Sequence, residues 1–354
     1  MKKLVAILIV AILAASMTSV ALAEEAPLYI PLIAKGFQHQ YWQAVAAGAQ
    51  DAAEENNAEI YFDGPASETE IDAQVNMVKQ ELAKDPVAIA IAPLSPESLT
   101  ECLETCAENN IPVICFDSAI PDDKTGSVVA TASTDNYGAA AIAAEKFGEV
   151  QEMIDKLKAA TPDAPVVIGC LAQDAVSSSQ IERTRGFVET MAQIAETYQA
   201  GKVSVEGHDV YANPVEDAAV IIRVEVGATT EATALQTAAN ALLNLGPAAI
   251  FCVNEGAVTG FLAAVSDGED LAEGGKYEDL LVAGFDAGTA QKNAVRQGWF
   301  LGSVSQNPYL IGYKAVEMCI AAANGEAVED IDTGAVWYDS SNIDDEDVAI
   351  LVYD

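Results

Sequence analysis

Tyr-Ile-Pro-Leu-Ile-Ala-Lys-Gly-Phe-Gln-His-Gln-Tyr-Trp, running from Tyr29 to Trp42, is the stretch whose reading decides the fold. It opens as a short apolar strand, Tyr29 to Ile33, that stops at Lys35-Gly36. A loop crowded with rings and amides follows, and a helix is expected to begin near Tyr41. In an open parallel sheet, ligands bind in the crevice outside the carboxyl ends of the strands. Three later apolar runs stop in the same manner, at Asp117, Asn254 and Asp286. All four strand ends are expected to face one cleft.

Outward from this stretch the chain alternates short apolar runs with amphipathic ones. The run from Tyr41 to Asn56 places Trp42, Val45, Ala46, Ala49 and Ala53 on one helical face. Strands are expected at Glu59 to Phe62, Val87 to Ala92 and Pro112 to Phe116, with helices at Thr69 to Lys84 and Pro96 to Asn110. Continuous apolar strands between such helices mean a parallel sheet covered on both faces. Ser127 to Ala132 reads as an extended crossover, after which the rhythm restarts at Val166 to Leu171. It continues through strands ending near Val226, Val253, Phe285 and Val304 to a helix from Tyr309 to about Ala323 and two short tail strands. Gly201 to Val215 breaks the rhythm and reads as an insertion or long loop. At 354 residues, the chain is long enough for two cores.

Lys2 and Lys3, an apolar run from Leu4 and Ala21-Leu22-Ala23 before Glu24 read as a secretory signal peptide over residues 1–23. A net charge of -37 opposes nucleic acid and anionic lipid surfaces. The six cysteines show no metal spacing and no CxxC. Cys102 and Cys106 share a helical face with Leu99 and Leu103, and Cys115, Cys170, Cys252 and Cys319 sit inside apolar runs, so all are expected to be small buried hydrophobes. No cofactor or metal site is expected.

Taken in order, the opening aromatic loop, Pro-Val-Ile-Cys-Phe-Asp, Thr-Asp-Asn, Glu-Arg-Thr-Arg-Gly-Phe, Cys-Val-Asn-Glu, Gly-Phe-Asp and Ser-Gln-Asn-Pro make the chain resemble the type I periplasmic sugar-binding proteins of ABC importers, in the ribose- and galactose-binding group. The resemblance covers Pro27 to about Val352. It implies an α/β protein of two Rossmann-like lobes with parallel central sheets, joined by three crossovers. One lobe would hold residues 27–130 and 307–332, the other 131–306 and 333–354. The ribose-binding pattern gives His39 the place of a hydroxyl-binding amide, and Tyr41 and Trp42 the places of rings packed on the sugar. It makes Asp117 a hydroxyl acceptor, Arg183, Asn254, Asp286 and Gln306 polar contacts from the far lobe and hinge, and Phe285 a further packing ring. Asp117-Ser118 stands where the pattern has Asp-Arg, and Gly227-Ala228-Thr229 lacks an aromatic that relatives place there. Lys35 is read as a replacement donor. Asp63-Gly64-Pro65 and Ser95-Pro96-Glu97 also resemble the autoinducer-2-binding branch.

The residue types fit this chemistry on their own terms. Rings cover the C–H faces of a sugar, carboxylates accept from hydroxyls, Arg donates through a planar fork, and Asn or Gln does both. Taken singly, Asn254 and Asp286 fit helix N-caps equally well, and Trp42 and Phe285 fit core positions. The expected function is non-catalytic binding of a small neutral monosaccharide by an exported, periplasmic or extracellular monomer that serves an ABC permease. Sensing of autoinducer-2 or another polyol for a chemoreceptor is the alternative. A glycoside-processing enzyme is remote, since only Asp117 and Asp286 would supply its paired carboxylates.

Overall fold

The computed structural model describes residues 27–36 and 39–353; the expected signal peptide lies outside the described residues. In chain order the elements are β1 (Leu28–Ile33), α1 (Gln40–Glu55), β2 (Ala58–Asp63), α2 (Ile71–Leu82), β3 (Ile89–Ile91), α3 (Thr100–Asn109), β4 (Val113–Phe116) and β5 (Val128–Ser133). Next come α4 (Asn136–Glu149), α5 (Gln151–Ala159), β6 (Val166–Ala172), α6 (Ser178–Glu196), β7 (Val203–Glu206), β8 (Val220–Val226), α7 (Ala232–Leu243) and β9 (Ala249–Cys252). The chain ends with α8 (Glu255–Ala264), β10 (Leu281–Phe285), α9 (Thr289–Arg296), β11 (Gly302–Gln306), α10 (Pro308–Ala323), β12 (Ile331–Asp332), β13 (Ala335–Tyr338) and α11 (Glu346–Ala349).

Two sheets form two α/β lobes. The first has the strand order β12-β5-β4-β3-β1-β2, the second β13-β11-β10-β9-β6-β8-β7, and only β13 runs antiparallel to its neighbour. Strands β3, β4 and β9 are buried along their whole length, as their unbroken apolar sequences require when helices cover both faces. Strand order reverses between β1 and β3 in one sheet and between β6 and β9 in the other. Such reversals open a crevice at the carboxyl ends of the strands.

Two expectations are corrected here. Residues 127–132 are not merely a crossover: β5 is a full parallel neighbour of β4, and the chain leaves the first sheet only after Ser133. The segment 201–215 is not a featureless loop, since it holds β7, an edge strand parallel to β8. A four-residue edge strand carries too weak a periodicity to stand out in sequence; its pairing comes from the sheet already present.

The chain passes between the lobes after β5, after β11 and after β12. These passages are stitched together. The Thr333 amide donates to the Ser133 carbonyl at 2.8 Å, and the Asp332 carboxylate accepts from the Asp135 amide at 3.0 Å. The passages after β5 and after β12 are thus hydrogen-bonded to each other.

Helices α1 and α10 lie so close that they touch backbone to backbone. A Cβ on Gly48 would stand 1.9 Å from the Tyr309 carbonyl oxygen, and one on Gly312 would stand 1.9 Å from that of Val45. A helical carbonyl cannot swing aside as a side chain can, so a methyl group must push the helices apart. Gly312→Ala is therefore expected to cost about 1–3 kcal/mol and to lower the melting temperature in calorimetry. An unchanged melting temperature would mean that the two helices separate freely.

Candidate functional site

Strand β1 delivers Lys35 to the cleft, where its ammonium is buried. Nζ lies 2.7 Å from Asp117 Oδ2 and donates to Ser118 Oγ at 2.6 Å, both within the first lobe. It also donates across the cleft to Ser179 Oγ, at 3.0 Å, in the first turn of α6. Asp117 and Asp286 close equivalent strands in the two lobes, with φ of 60° and 75°. Aspartate is among the few residues that tolerate this left-handed backbone. The sharp turn it permits sends each carboxylate back into the cleft.

Tyr41 donates its hydroxyl to Asp117 Oδ1 at 2.8 Å and meets Trp42 edge to face at 4.9 Å. Burial, then the charges of Asp117 and Asp286, push the Tyr41 hydroxyl far above its usual pKa, so it stays a donor. For Asp117 itself, burial pushes the carboxyl up, but Lys35, Arg183 and the Lys35 and Tyr41 hydrogen bonds outweigh it and hold the net value below the ordinary range.

The second lobe answers with Arg183. Its Nε donates to Asn136 Oδ1 at 2.7 Å and Nη1 to the Val253 carbonyl at 3.3 Å; Nη1 also lies 3.8 Å from Asp286 Oδ2. Asp286 accepts from the Glu255 amide at 3.0 Å and from Gln306 Nε2 at 2.6 Å. Asn254 caps α8 by accepting from the Ala257 amide at 2.9 Å and still reaches the cavity. It is thus a helix cap and a cavity-lining residue at once. Asp286 does not cap α9, whose N-cap is Gly288.

These groups enclose a narrow cavity of roughly 30 Å³ between the lobes, room for one or two waters. That is far below the about 300–1,000 Å³ of small-molecule sites, so a ligand needs the lobes to part. Of the residues expected from sequence, Lys35, His39, Tyr41, Trp42 and Asp117 line it from the first lobe. Arg183, Asn254, Asp286 and Gln306 line it from the second. Ser118 and Phe285 do not. Ser118 stands behind Lys35, and the fully buried Phe285 ring lies under the Arg183 guanidinium, 3.9 Å from Cζ. A ring in that position holds the arginine flat and cannot cover a sugar face. Arg183 in turn is buried, not the solvated surface charge that its helix alone would suggest. Ser95, Pro96 and Glu97 line a separate groove with Asp122 and Val176.

Glu68, Ser179, Gln180 and Glu255 also line the cavity and were not foreseen. Ser179 and Gln180 sit one helical turn before Arg183, and Glu255 follows Asn254, so proximity to the quoted motifs was the available signal. Glu68 lies in the loop after β2 and carried none. It accepts from Trp42 Nε1 at 3.0 Å and, across the cleft, from Gln173 Nε2 at 2.6 Å. The lobes are joined again where Gln40 Oε1 accepts from the Thr289 amide and hydroxyl, each at 2.9 Å.

Known proteins resemble the chain over most of its length. A family model described as periplasmic binding protein domain matches residues 30–327. The D-allose-binding periplasmic protein of Escherichia coli (strain K12) is 24% identical over 306 residues, covering 85% of this chain and 86% of that protein. A solved structure from Brachyspira murdochii, described as an ABC transporter, LacI family transcriptional regulator, is 37% identical with a TM-score of 0.77, covering 94% of this chain and 100% of the other. An ABC transporter solute binding protein from Agrobacterium vitis, with bound D-fucose, is 26% identical with a TM-score of 0.73, covering 92% and 100%.

Lys35→Met would leave Asp117 out of water without its nearest cation, which costs about 3–5 kcal/mol in buried pairs. Because the folded-state pKa of Asp117 is depressed, its stabilisation is present above the unfolded carboxylate range and disappears as pH falls through the folded value. In Lys35→Met the carboxylate is buried without that cation, so protonating it relieves the cost, and the variant's deficit should shrink as pH falls. Calorimetric melting temperatures from pH 3 to pH 7 would show the gap between the two proteins narrowing toward acid; a gap that stays constant or is absent would uncouple Lys35 from Asp117.

Proposed function

Because the chain belongs to the periplasmic binding protein domain family, we propose that it is the sugar-binding component of an ABC importer, closing its lobes on a monosaccharide. One observation carries this reading: rings, carboxylates, a guanidinium and carboxamides from both lobes converge on one interlobe cavity. The relatives support it, since the named Escherichia coli protein binds D-allose and the Agrobacterium vitis protein holds D-fucose.

The mechanism follows from where the contacts come from. Asp117 and Tyr41 belong to one lobe, and Arg183, Asn254 and Asp286 to the other. A ligand makes all of its bonds only when the lobes are together, so its differential affinity selects the closed state. Each charge-assisted bond contributes about 1.5–3 kcal/mol net. A few of them exceed the roughly 8 kcal/mol of micromolar affinity and offset the cost of ordering and closure. The closed monomer then presents one continuous face of both lobes to the permease, or to a chemoreceptor. No bond of the sugar is made or broken, and the exported side of the membrane is where such a carrier works.

Isothermal titration against pentoses and hexoses tests the reading. Arg183→Ala and Asp286→Ala should each weaken the best ligand at least tenfold while the circular dichroism spectrum stays folded. Unchanged affinity would remove both residues from the site, and turnover of nitrophenyl glycosides would replace the carrier with an enzyme.

A further inference from the structure

The cavity carries more negative charge than its own cations neutralise. Of the carboxylates lining it, Asp117 is paired with Lys35 and Asp286 faces Arg183. Glu68 and Glu255 have no lysine or arginine within ion-pair distance among the described residues. Glu68 has only His39, whose Nε2 lies 3.9 Å from Oε1, together with the uncharged donors Trp42 and Gln173. Glu255 Oε2 is buried with no partner. Burial pushes the Glu255 carboxyl up, and His39 and the backbone N–H groups of Gln40 and Tyr41 pull only partly against it and against the nearby charge of Asp286. A carboxylate taken out of water without a cation is an expensive arrangement.

A second observation is independent of charge. Gln180 and Gln306 are 4% and 1% exposed, both line the cavity, and the Oε1 atom of each has no hydrogen-bond donor. With Glu255 Oε2, the groups left unsatisfied at this site are mainly acceptors. They call for a ligand rich in donors. A hydroxyl donates one hydrogen and brings no charge, whereas an ammonium donates three and brings a full positive charge. The strongly anionic chain, at -37, also draws cations rather than anions toward the cleft.

We propose that Glu68 and Glu255 form a cation subsite at the His39 end of the cleft, and that the sugar this protein takes carries a protonated primary amine. The inference rests on the sugar-binding reading and narrows it from a neutral monosaccharide to an aminodeoxy sugar. Lys35 and Arg183 remain with Asp117 and Asp286 to grip the hydroxyl rim, while the amine enters between carboxylates that no lysine or arginine among the described residues has claimed. His39 is the titratable base facing both Glu68 and Glu255. If its imidazole supplied the missing charge, a neutral sugar would bind as well as an amino sugar.

Isothermal titration at neutral pH decides between these, using D-glucosamine, D-galactosamine, D-mannosamine and their 3- and 6-amino isomers. Each is compared with its parent hexose and, for bulk without charge, its N-acetyl derivative. The expected result is that at least one amino sugar binds tenfold or more tighter than both neutral counterparts. Glu255→Gln should then lose most of that preference, the amino sugar weakening far more than the parent hexose. Parent hexoses binding as tightly as the amines would overturn the subsite and leave the sugar carrier standing. A Glu255→Gln variant that weakens both classes equally would overturn it too, by giving Glu255 a purely structural role. Absence of heat with every sugar would overturn both readings together.

Discussion

Lys35 and Asp117 meet 2.7 Å apart in a place from which water is largely excluded, and much of the site is arranged around that contact. Neither charge could stay there alone. Together they leave polar valences over, and those are taken by Tyr41, by Ser118 and, across the cleft, by Ser179. One ammonium therefore touches both lobes. The pair works less as a source of stability than as a fixed polar wall, because desolvation cancels much of its attraction.

The same economy governs the far side of the cleft. Arg183 is immobilised before any ligand arrives, by Asn136, the Val253 carbonyl and the Phe285 ring beneath it. Three different elements thus spend their bonding on one guanidinium, and its remaining donors face the cavity at little further entropic cost. Helices α1 and α10 pack through glycine within the first lobe, and the passages near Ser133 and Asp332 are bonded to each other between the lobes.

Much of this was legible in the residues. Unbroken apolar runs between amphipathic helices identify covered parallel strands, and polar residues at the strand ends point to the crevice. Lys35, Asp117, Asn254 and Asp286 stand at such strand ends in the sequence, and the structure brings all four to one cavity. Phe285 shows the limit of the method. Its place at the end of a strand is visible in sequence, but whether a ring there faces a ligand or an arginine depends on which side of the sheet the neighbouring helix lies. Glu68 shows a second limit, since a loop glutamate looks like any solvated charge until Trp42 and Gln173 are brought to it from different lobes. β7 escaped for a third reason: an edge strand of four residues owes its form to the neighbour it pairs with.

The sequence by itself determined the class of fold, the alternation of elements and the supply of polar groups at the mouths of two sheets, because these depend on local periodicity and on what each side chain can do in water or out of it. Tertiary structure decided which charges are paired and which stand alone. Lys35 goes to Asp117, Arg183 faces Asp286, and among the described residues no lysine or arginine pairs with Glu68 or Glu255, which have the His39 imidazole beside them. Pairing of that kind is fixed by distances of a few ångströms between residues far apart in the chain, and by a low dielectric that exists only once the lobes have closed around them.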